Sequence, residues 1–462
     1  MSPDHNQQDL LKATRRLIWI YCIVWLIEGA IRKWVLPQFS IQLLLVRDPI
    51  ALLIYYYAAR ARVFPMNGWL GFLGFLTGLI FLQALVQAMA GDVSWAVAAF
   101  GVRTFFLHMP LIWVIPAVLG RKEIASLGRW VLYVAPFLAA LMVVQFEVGA
   151  DHWLNVATLK GGSQIGSVFG KIRPPALFSF ISGPIHYFAL TTAFALAGVF
   201  TKGLFPRWLP WVGGFSVLIA MSVSGSRSLV LGCVVVAAVG AATGFLSGKK
   251  IGPIVAVAIG LVITVPFLAS FGVLKEGIAA FADRWGSEED SGESGSRVMT
   301  QRVGGGFTSA FYWAGQVPIN GLGVGITSNL ATAKKAFIAP VEGEWERVIY
   351  EIGPITGFIY LAFRTALSFQ MLALGFGSVR SGNYLCILLG AACFFDMLSG
   401  NVRQVTSYGY IAVCAGLCLA AYKAFSTEKE PDIPGKVDEL LMEKPKLRGR
   451  GRFSVGGNPV QP

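Results

Sequence analysis

The chain has 462 residues, of which 55% are hydrophobic and only 14% charged, so its apolar content exceeds what a single soluble core can bury. Its formal net charge of +13 would favour nucleic-acid binding in a soluble protein. Much of that charge, however, lies in short loops between apolar runs and in a basic tail, as membrane insertion requires. We therefore expect membrane lipids around the protein and no nucleic acid as a partner.

Apolar runs of about 18 to 25 residues follow one another along the chain, and each is long enough to cross a bilayer as a helix. They predict an all-α fold, a polytopic transmembrane helical bundle of about 12 spans over residues 17–424. A cytoplasmic N-terminus (1–16) precedes it, and a disordered, basic cytoplasmic tail (425–462) follows it. The spans are predicted at about 17–36, 42–59, 68–90, 95–119, 128–149, 176–200, 208–224, 228–247, 251–273, 348–372, 382–400 and 405–424.

Basic residues mark every second loop, and cytoplasmic loops are the ones that carry an excess of lysine and arginine. This pattern predicts a multi-pass membrane protein with both termini in the cytoplasm. The alternation puts the long segments 150–175 and 274–347 outside, the second as a large loop between spans 9 and 10. The residues on the cytoplasmic side are Lys12, Arg15, Arg16, Arg60, Arg62, Arg121, Lys122, Arg129, Lys202, Arg207, Lys249, Lys250 and Arg380.

Other cations break this rule in the outer loops and the outer halves of spans. Arginine in or near hydrocarbon costs about 2.5 to 3.5 kcal/mol and usually has a counter-charge. Arg227 closes a very short turn, SVSGSRS, and Arg173 stands before two prolines in GKIRPPALFSF. Two converging guanidinium groups can bind a diphosphate bidentately without a metal. We therefore predict that Arg173 and Arg227 contact an anionic ligand, and we add Arg103 and Arg403 as further candidates.

Purely structural interpretations stay open for several of these cations. Arg32 and Lys33 are equally consistent with snorkelling to the head groups, and Glu28 is placed to pair with Arg32 at i,i+4. Arg47 and its neighbour Asp48 are expected to compensate each other. Arg103 and His108, within one span, are equally consistent with a packed polar pair.

The second long loop contains a glycine-rich segment, PINGLGVGITSN, and then a group of acids at the mouth of a span. Gly323 and Gly325 allow a ligand to approach the backbone closely, but the segment is neither a P-loop nor a dinucleotide fingerprint. The acids are either candidate general bases or acids favoured at a helix N-terminus by the dipole. They are Glu342, Glu344, Glu346 and Glu351.

Three features resemble the superfamily of O-antigen ligases and Wzy-type O-antigen polymerases, over roughly residues 170–400. They are Arg173-Pro174 leading into ALFSF, the SGSR turn with Arg227, and PINGLGVG followed by a span with EIGPITG. The resemblance implies about a dozen helices, a late outer loop, and arginines that hold an undecaprenyl-diphosphate-linked glycan.

Many members carry a His-Asn pair before the last of these motifs, where this sequence has only glutamates. The resemblance then implies Glu344 as the first candidate for the catalytic base, with Glu346 and Glu342 behind it.

The implied activity is a metal-independent, cofactor-free glycosyl transfer at the outer face, which polymerises oligosaccharide repeat units into O-antigen or exopolysaccharide. A ligase would differ only in its acceptor. Two competing functions are a transporter or flippase of lipid-linked oligosaccharide and a non-catalytic assembly subunit. Other polysaccharide assembly proteins are possible partners. The six cysteines lie inside apolar runs without metal-ligand spacing, so we expect neither disulfides nor a metal site.

Overall fold

The structure is a computed structural model that describes residues 5–158, 164, 166, 171–247, 251–279, 295–328, 330–331, 341 and 343–426. Within these ranges the fold is helical and contains no β-strand beyond one isolated bridge. The helices are α1 (His5–Ala30), α2 (Asp48–Arg60), α3 (Gly68–Ala90), α4 (Trp95–Phe106), α5 (Leu111–Val118), α6 (Arg121–Glu147), α7 (Ser182–Phe200), α8 (Leu209–Val223), α9 (Arg227–Leu246), α10 (Ile251–Ala269), α11 (Gly295–Ala314), α12 (Glu344–Ile352), α13 (Pro354–Val379), α14 (Tyr384–Ser399) and α15 (Val405–Ser426).

Six of these helices are long and apolar enough to cross a membrane, and the bent pair α4–α5 makes a seventh if it forms one span. The six are α3, α6, α7, α9, α13 and α15, while α8 and α14 are shorter apolar helices. The all-helical membrane class is therefore supported. The count of twelve spans and the large outer loop stay predictions.

Two predicted spans are interrupted. The span predicted at about 95–119 bends by 43° between α4 and α5, where Pro110 lacks the amide hydrogen that a continuous helix would use. The span predicted at about 348–372 is divided at Gly353, whose φ of 74° ends α12 before α13 begins. A Cβ at Gly353 would lie 2.0 Å from the carbonyl oxygen of Ile319. This break therefore requires glycine.

Contacts between helix ends define two ends of the bundle. Arg15 near the start of α1 donates from Nε to the carbonyl of Val118 at 3.0 Å and pairs with Glu123 at 3.1 Å. Arg121, at the start of α6, lies 4.8 Å over the ring of Phe425. The first helix thus begins where the last one ends, and we name this the terminal end. The loops predicted to be cytoplasmic adjoin it.

The opposite end, which we name the loop end, joins segments that are far apart in the sequence. Lys33 after α1 donates to the carbonyl of Ala176 before α7 at 2.7 Å. Trp345 at the start of α12 donates from Nε1 to the carbonyl of Leu398 at the end of α14 at 3.0 Å. Four sequence-predicted site residues lie at this end, just before or at the start of a helix. They are Arg173, Arg227, Glu344 and Arg403.

The core between the two ends is filled by apolar and aromatic side chains. Trp25 of α1 stacks on Tyr187 of α7 and on Tyr410 of α15, with ring centroids 6.3 and 6.2 Å apart. Its indole nitrogen donates to the carbonyl of Thr406 at 2.8 Å, so the polar atom of this buried ring is satisfied. These contacts fix α7 and α15 beside each other, which matters for the site described next.

Candidate functional site

The acids after the glycine-rich segment form the beginning of α12. Gly343 is the N-cap residue, and its backbone amide donates a hydrogen bond to the Glu346 carboxylate, which forms a capping box. Glu346 thus places a negative charge at the N-terminus of α12, where the helix dipole favours it. Glu342 lies outside the described residues.

Glu344 is enclosed by two guanidinium groups. Its two carboxylate oxygens accept from Nε and Nη2 of Arg347 at 2.8 and 2.9 Å, and Oε1 also accepts from Nη1 of Arg364 at 2.6 Å. All three side chains are at most 2% exposed. The Glu344 carboxylate is fully buried, and guanidinium groups bind both of its oxygens, so an acceptor hydroxyl cannot reach it.

Arg347 links this pair to the glycine-rich segment. Its Nη1 donates to Glu351 at 2.8 Å, and Glu351 in turn accepts from the backbone amide of Thr327 at 3.2 Å. Burial alone would lower the pKa of Arg347, but the charges of Glu344 and Glu351 raise it above its ordinary value. The acids at this helix therefore belong to a buried ion-pair network that joins α12, α13 and the segment around Thr327.

Arg364 also fixes the end of α14. It donates to the carbonyls of Met397, Asp396 and Gly400 at 2.8, 3.0 and 2.8 Å. A cation that binds the last carbonyls of a helix satisfies orphan acceptors and complements the helix dipole. The main chain around Asp396 is therefore held rigidly.

The glycines pack closely against neighbouring helices. Gly325 has φ 82°, and a Cβ there would lie 2.3 Å from the carbonyl oxygen of Val97 on α4. A Cβ at Gly323 would lie 2.3 Å from the side chain of Val93. Gln87 of α3 holds the segment by accepting from the amide of Val324 at 2.8 Å and donating to the carbonyl of Asn320 at 2.6 Å. Close helix packing thus accounts for both glycines.

Arg103 and His108 meet at one carboxylate. Arg103 binds both oxygens of Asp48 and donates to the carbonyl of Leu44 at 2.8 Å. His108 Nε2 lies 3.2 Å from Asp48, and its Nδ1 lies 3.1 Å from the hydroxyl of Tyr21. The interpretation as a packed polar pair therefore describes Arg103 better than a ligand contact does.

The first outer cations pair differently from the simplest expectation. Glu28 accepts from Arg32 at 3.4 Å, which confirms the i,i+4 pair. Arg47 pairs with the same Glu28 at 2.9 Å, rather than with its neighbour Asp48. Its Nη2 also donates to the carbonyl of Val405 at 2.5 Å.

The segment before α7 is fastened to α1 and α6. Arg32 donates to Ser179 Oγ at 3.1 Å, and Lys33 donates to the carbonyl of Ala176. The Gln145 amide group donates to that carbonyl at 3.2 Å and accepts from the Ala176 amide at 2.7 Å. Ala176 has φ 50°. Arg32 and Lys33 thus position the segment that contains Arg173, three residues before Ala176.

Three sequence-predicted arginines lie half-buried at the loop end. Arg173 begins the fastened segment, and Arg227 is the first residue of α9. Arg403 precedes α15 and donates from Nη1 to the carbonyl of Thr327 at 3.0 Å.

One group of polar residues at this end has no counterpart in the sequence-based prediction. His186 of α7 lies with Nε2 2.8 Å from Ser407 Oγ on α15 and with Nδ1 3.4 Å from Asp396 Oδ2 on α14. Its ring stacks on Tyr410 at 4.6 Å and 11°. A histidine and an aspartate inside apolar runs were the available signal, because ionisable residues in spans mark functional sites by default.

No group of three or more potential metal ligands occurs among the residues that the structure describes. A groove of 510 Å³ between α3 and α13 is lined by glycine and by aliphatic and aromatic residues, none of them charged. No family model matches the sequence, and no curated protein matches it.

Proposed function

We propose that the chain is a membrane glycosyltransferase that polymerises undecaprenyl-diphosphate-linked oligosaccharide units at the outer face of a bacterial inner membrane. The observation that carries the proposal is the position of Arg173, Arg227 and Arg403. They lie half-buried at the end of the bundle opposite the loops that follow the positive-inside rule.

The topology of the proposal follows from the same contrast. Since cytoplasmic loops hold the excess of lysine and arginine, the terminal end faces the cytoplasm and the loop end faces outward. We take α1, α2, α8, α10 and α14 as further spans beside the six long helices and the bent pair, which brings the proposed number to twelve. The catalytic chemistry then takes place where lipid-linked glycans are exposed outside and nucleotides are absent.

The arginines supply the chemistry that this reaction needs. When a glycosidic bond to a diphosphate breaks, negative charge develops on the leaving phosphate oxygen. Guanidinium groups bind phosphate oxygens bidentately and stay protonated, so they stabilise that charge without a metal. A ligase would use the same donor site and differ in its acceptor.

The test compares Arg173→Ala and Arg227→Ala with Arg129→Ala in the host bacterium from which the native gene has been deleted. Arg129 lies on α6 near the terminal end, where its Nη2 donates to Ser126, and it serves as the matched control. We expect the two loop-end variants to reduce polymer formation roughly 10²-fold, the effect of removing one donor to a developing oxyanion, and the control to leave it unchanged.

The products also separate the two acceptor classes. A polymerase defect leaves single repeat units on the acceptor, whereas a ligase defect leaves long chains unattached. Polymer of normal amount and length from both loop-end variants would refute the proposed function.

A further inference from the structure

We infer that Asp396 is the general base that removes the proton from the acceptor hydroxyl, with His186 behind it as a positioning residue. This inference rests on the proposed function and names the proton acceptor of that same site. Asp396 takes the role predicted from the sequence for Glu344, whose carboxylate is bound by Arg347 and Arg364.

The three polar side chains form a line with one open end. The side chain of Asp396 is 24% exposed, whereas that of His186 is 5% exposed and Ser407 is 3% exposed. The order from the surface inward is therefore carboxylate, imidazole and hydroxyl. A substrate hydroxyl can reach the carboxylate, but the serine oxygen lies behind the histidine ring. This excludes the serine as a nucleophile for a bulky glycan.

Asp396 differs from the other buried or half-buried acids that the structure describes at the loop end. An arginine binds Glu28, Asp48, Glu344 and Glu351, and the half-buried carboxylate of Glu346 caps α12 at the Gly343 amide. An arginine at contact distance favours the carboxylate form and so opposes proton uptake. Asp396 instead faces the imidazole of His186, whose Nδ1 lies 3.4 Å from Asp396 Oδ2.

The proposed role uses one tautomer of His186, the one with the ring hydrogen on Nε2. The ring lies with Nε2 2.8 Å from Ser407 Oγ and with Nδ1 3.4 Å from Asp396 Oδ2. In this tautomer Ser407 Oγ accepts from Nε2 and donates to Gln404 Oε1 at 3.4 Å. Once Asp396 has taken up a proton, its hydroxyl can donate to Nδ1, which stabilises the protonated carboxyl that a general base must form.

The base is also rigidly placed relative to the donor site. Arg364 binds the carbonyls of the last turn of α14, where Asp396 lies. α14 packs against both α7 and α9, and α9 begins with Arg227 at the same end of the bundle. Asp396 and Arg227 therefore lie at the same end of two helices that pack together, and a rigid arrangement of base and donor site is what orienting two reactants requires.

In the chemical step, the acceptor hydroxyl gives its proton to Asp396 while its oxygen forms a bond to the anomeric carbon of the donor. The bond between that carbon and the diphosphate oxygen breaks, and its electron pair leaves on the diphosphate, where arginine stabilises the charge. The proton then passes from Asp396 to water at the open end.

The experiment uses the full chain in proteoliposomes with a synthetic undecaprenyl-diphosphate-linked repeat unit. Asp396→Asn should lower turnover by about 10²–10⁴-fold, the usual contribution of a general base, with an unchanged KM. Asp92→Asn, the same change at an exposed loop-end acid, should leave turnover unchanged. His186→Gln should lower kcat roughly 10-fold without raising KM, as expected when an interaction made only in the transition state is lost. Added formate should restore part of the activity of Asp396→Ala, because it supplies a carboxylate in the vacated space.

The proposed function and the role of Asp396 fail in different ways. If the wild-type protein elongates no glycan, the proposed function fails. If the wild type elongates glycan and Asp396→Asn does so at the same rate, the inference about Asp396 is overturned while the function stands. Should Asp396→Asn unfold, Asp396→Glu decides the question, since a folded variant with full turnover at a displaced carboxylate excludes a positioned base.

Discussion

Glu344→Gln removes one negative charge from a buried site while it keeps the size of the side chain. In the wild type the two carboxylate oxygens accept three hydrogen bonds from Arg347 and Arg364 at 2.6 to 2.9 Å. The amide of glutamine turns a donor toward a guanidinium donor. Arg347 keeps Glu351 as a partner, whereas Arg364 keeps only backbone carbonyls.

Breaking a buried ion pair by removing one partner costs about 3–5 kcal/mol. With an unfolding entropy of about 2.1 cal/mol/K per residue over roughly 400 residues, this corresponds to a fall of about 4–6 °C in the unfolding midpoint. The matched control is Glu346→Gln, two residues along the same helix. There glutamine can still accept from the Gly343 amide, since a capping box tolerates Glu or Gln.

The assay follows tryptophan fluorescence during heating in detergent, with polymerisation measured in parallel. We expect the loss of stability to be confined to Glu344→Gln, and residual polymerisation to follow the folded fraction. Adding Arg364→Met should cost less than the sum of the two single variants by about 0.5–3 kcal/mol. A wild-type midpoint together with abolished polymerisation would refute this reasoning and return Glu344 to the role of base.

Two further predictions concern packing and topology, and a third concerns a second ion pair. Gly325→Ala should destabilise the protein by about 2–4 kcal/mol in the same assay, because Gly325 has a positive φ and a Cβ there would lie 2.3 Å from a carbonyl oxygen. The control Gly74→Ala should be neutral or stabilising, since a Cβ at Gly74 would have nothing within 4 Å. Equal unfolding midpoints for the two variants would contradict the packing role of Gly325. Lys202→Cys and Asp92→Cys replace exposed residues at opposite ends of the bundle, so they should react with a membrane-impermeant maleimide only from opposite sides of the membrane. The background should be low because all six native cysteines are buried. Labelling of both variants from one side would disprove the alternation of loops. Asp48→Asn should cost about 3–5 kcal/mol by leaving its arginine partner buried, and unchanged stability would show that this pair is dispensable.

Hydropathy predicted the helices well where a single rule governs them. A helix in lipid must satisfy its own backbone and present an apolar surface, and the span predicted at about 68–90 is α3, Gly68–Ala90. Hydropathy does not predict breaks within an apolar run. The bend after Phe106 and the division at Gly353 depend on what packs there, such as the carbonyl of Ile319 beside the glycine.

The ion pairs show where the sequence stops being informative. The pair of Glu28 and Arg32 follows from helical spacing, but Arg47 reaches the same glutamate across two elements. Similarly, the spacing of Glu344 suggested an accessible base, and only the fold brings Arg364 onto it. Partners from separate helices depend on tertiary packing, which one sequence does not record.

Ala176 gives the proposed donor site a property that does not depend on charge. Lys33 and Gln145 together hold its carbonyl and amide groups, so the main chain three residues after Arg173 is fixed when the protein folds. Ordering a free backbone costs about 1–2 kcal/mol per residue. An anion that binds at Arg173 therefore does not have to order this stretch of main chain, and that entropy does not reduce its binding free energy.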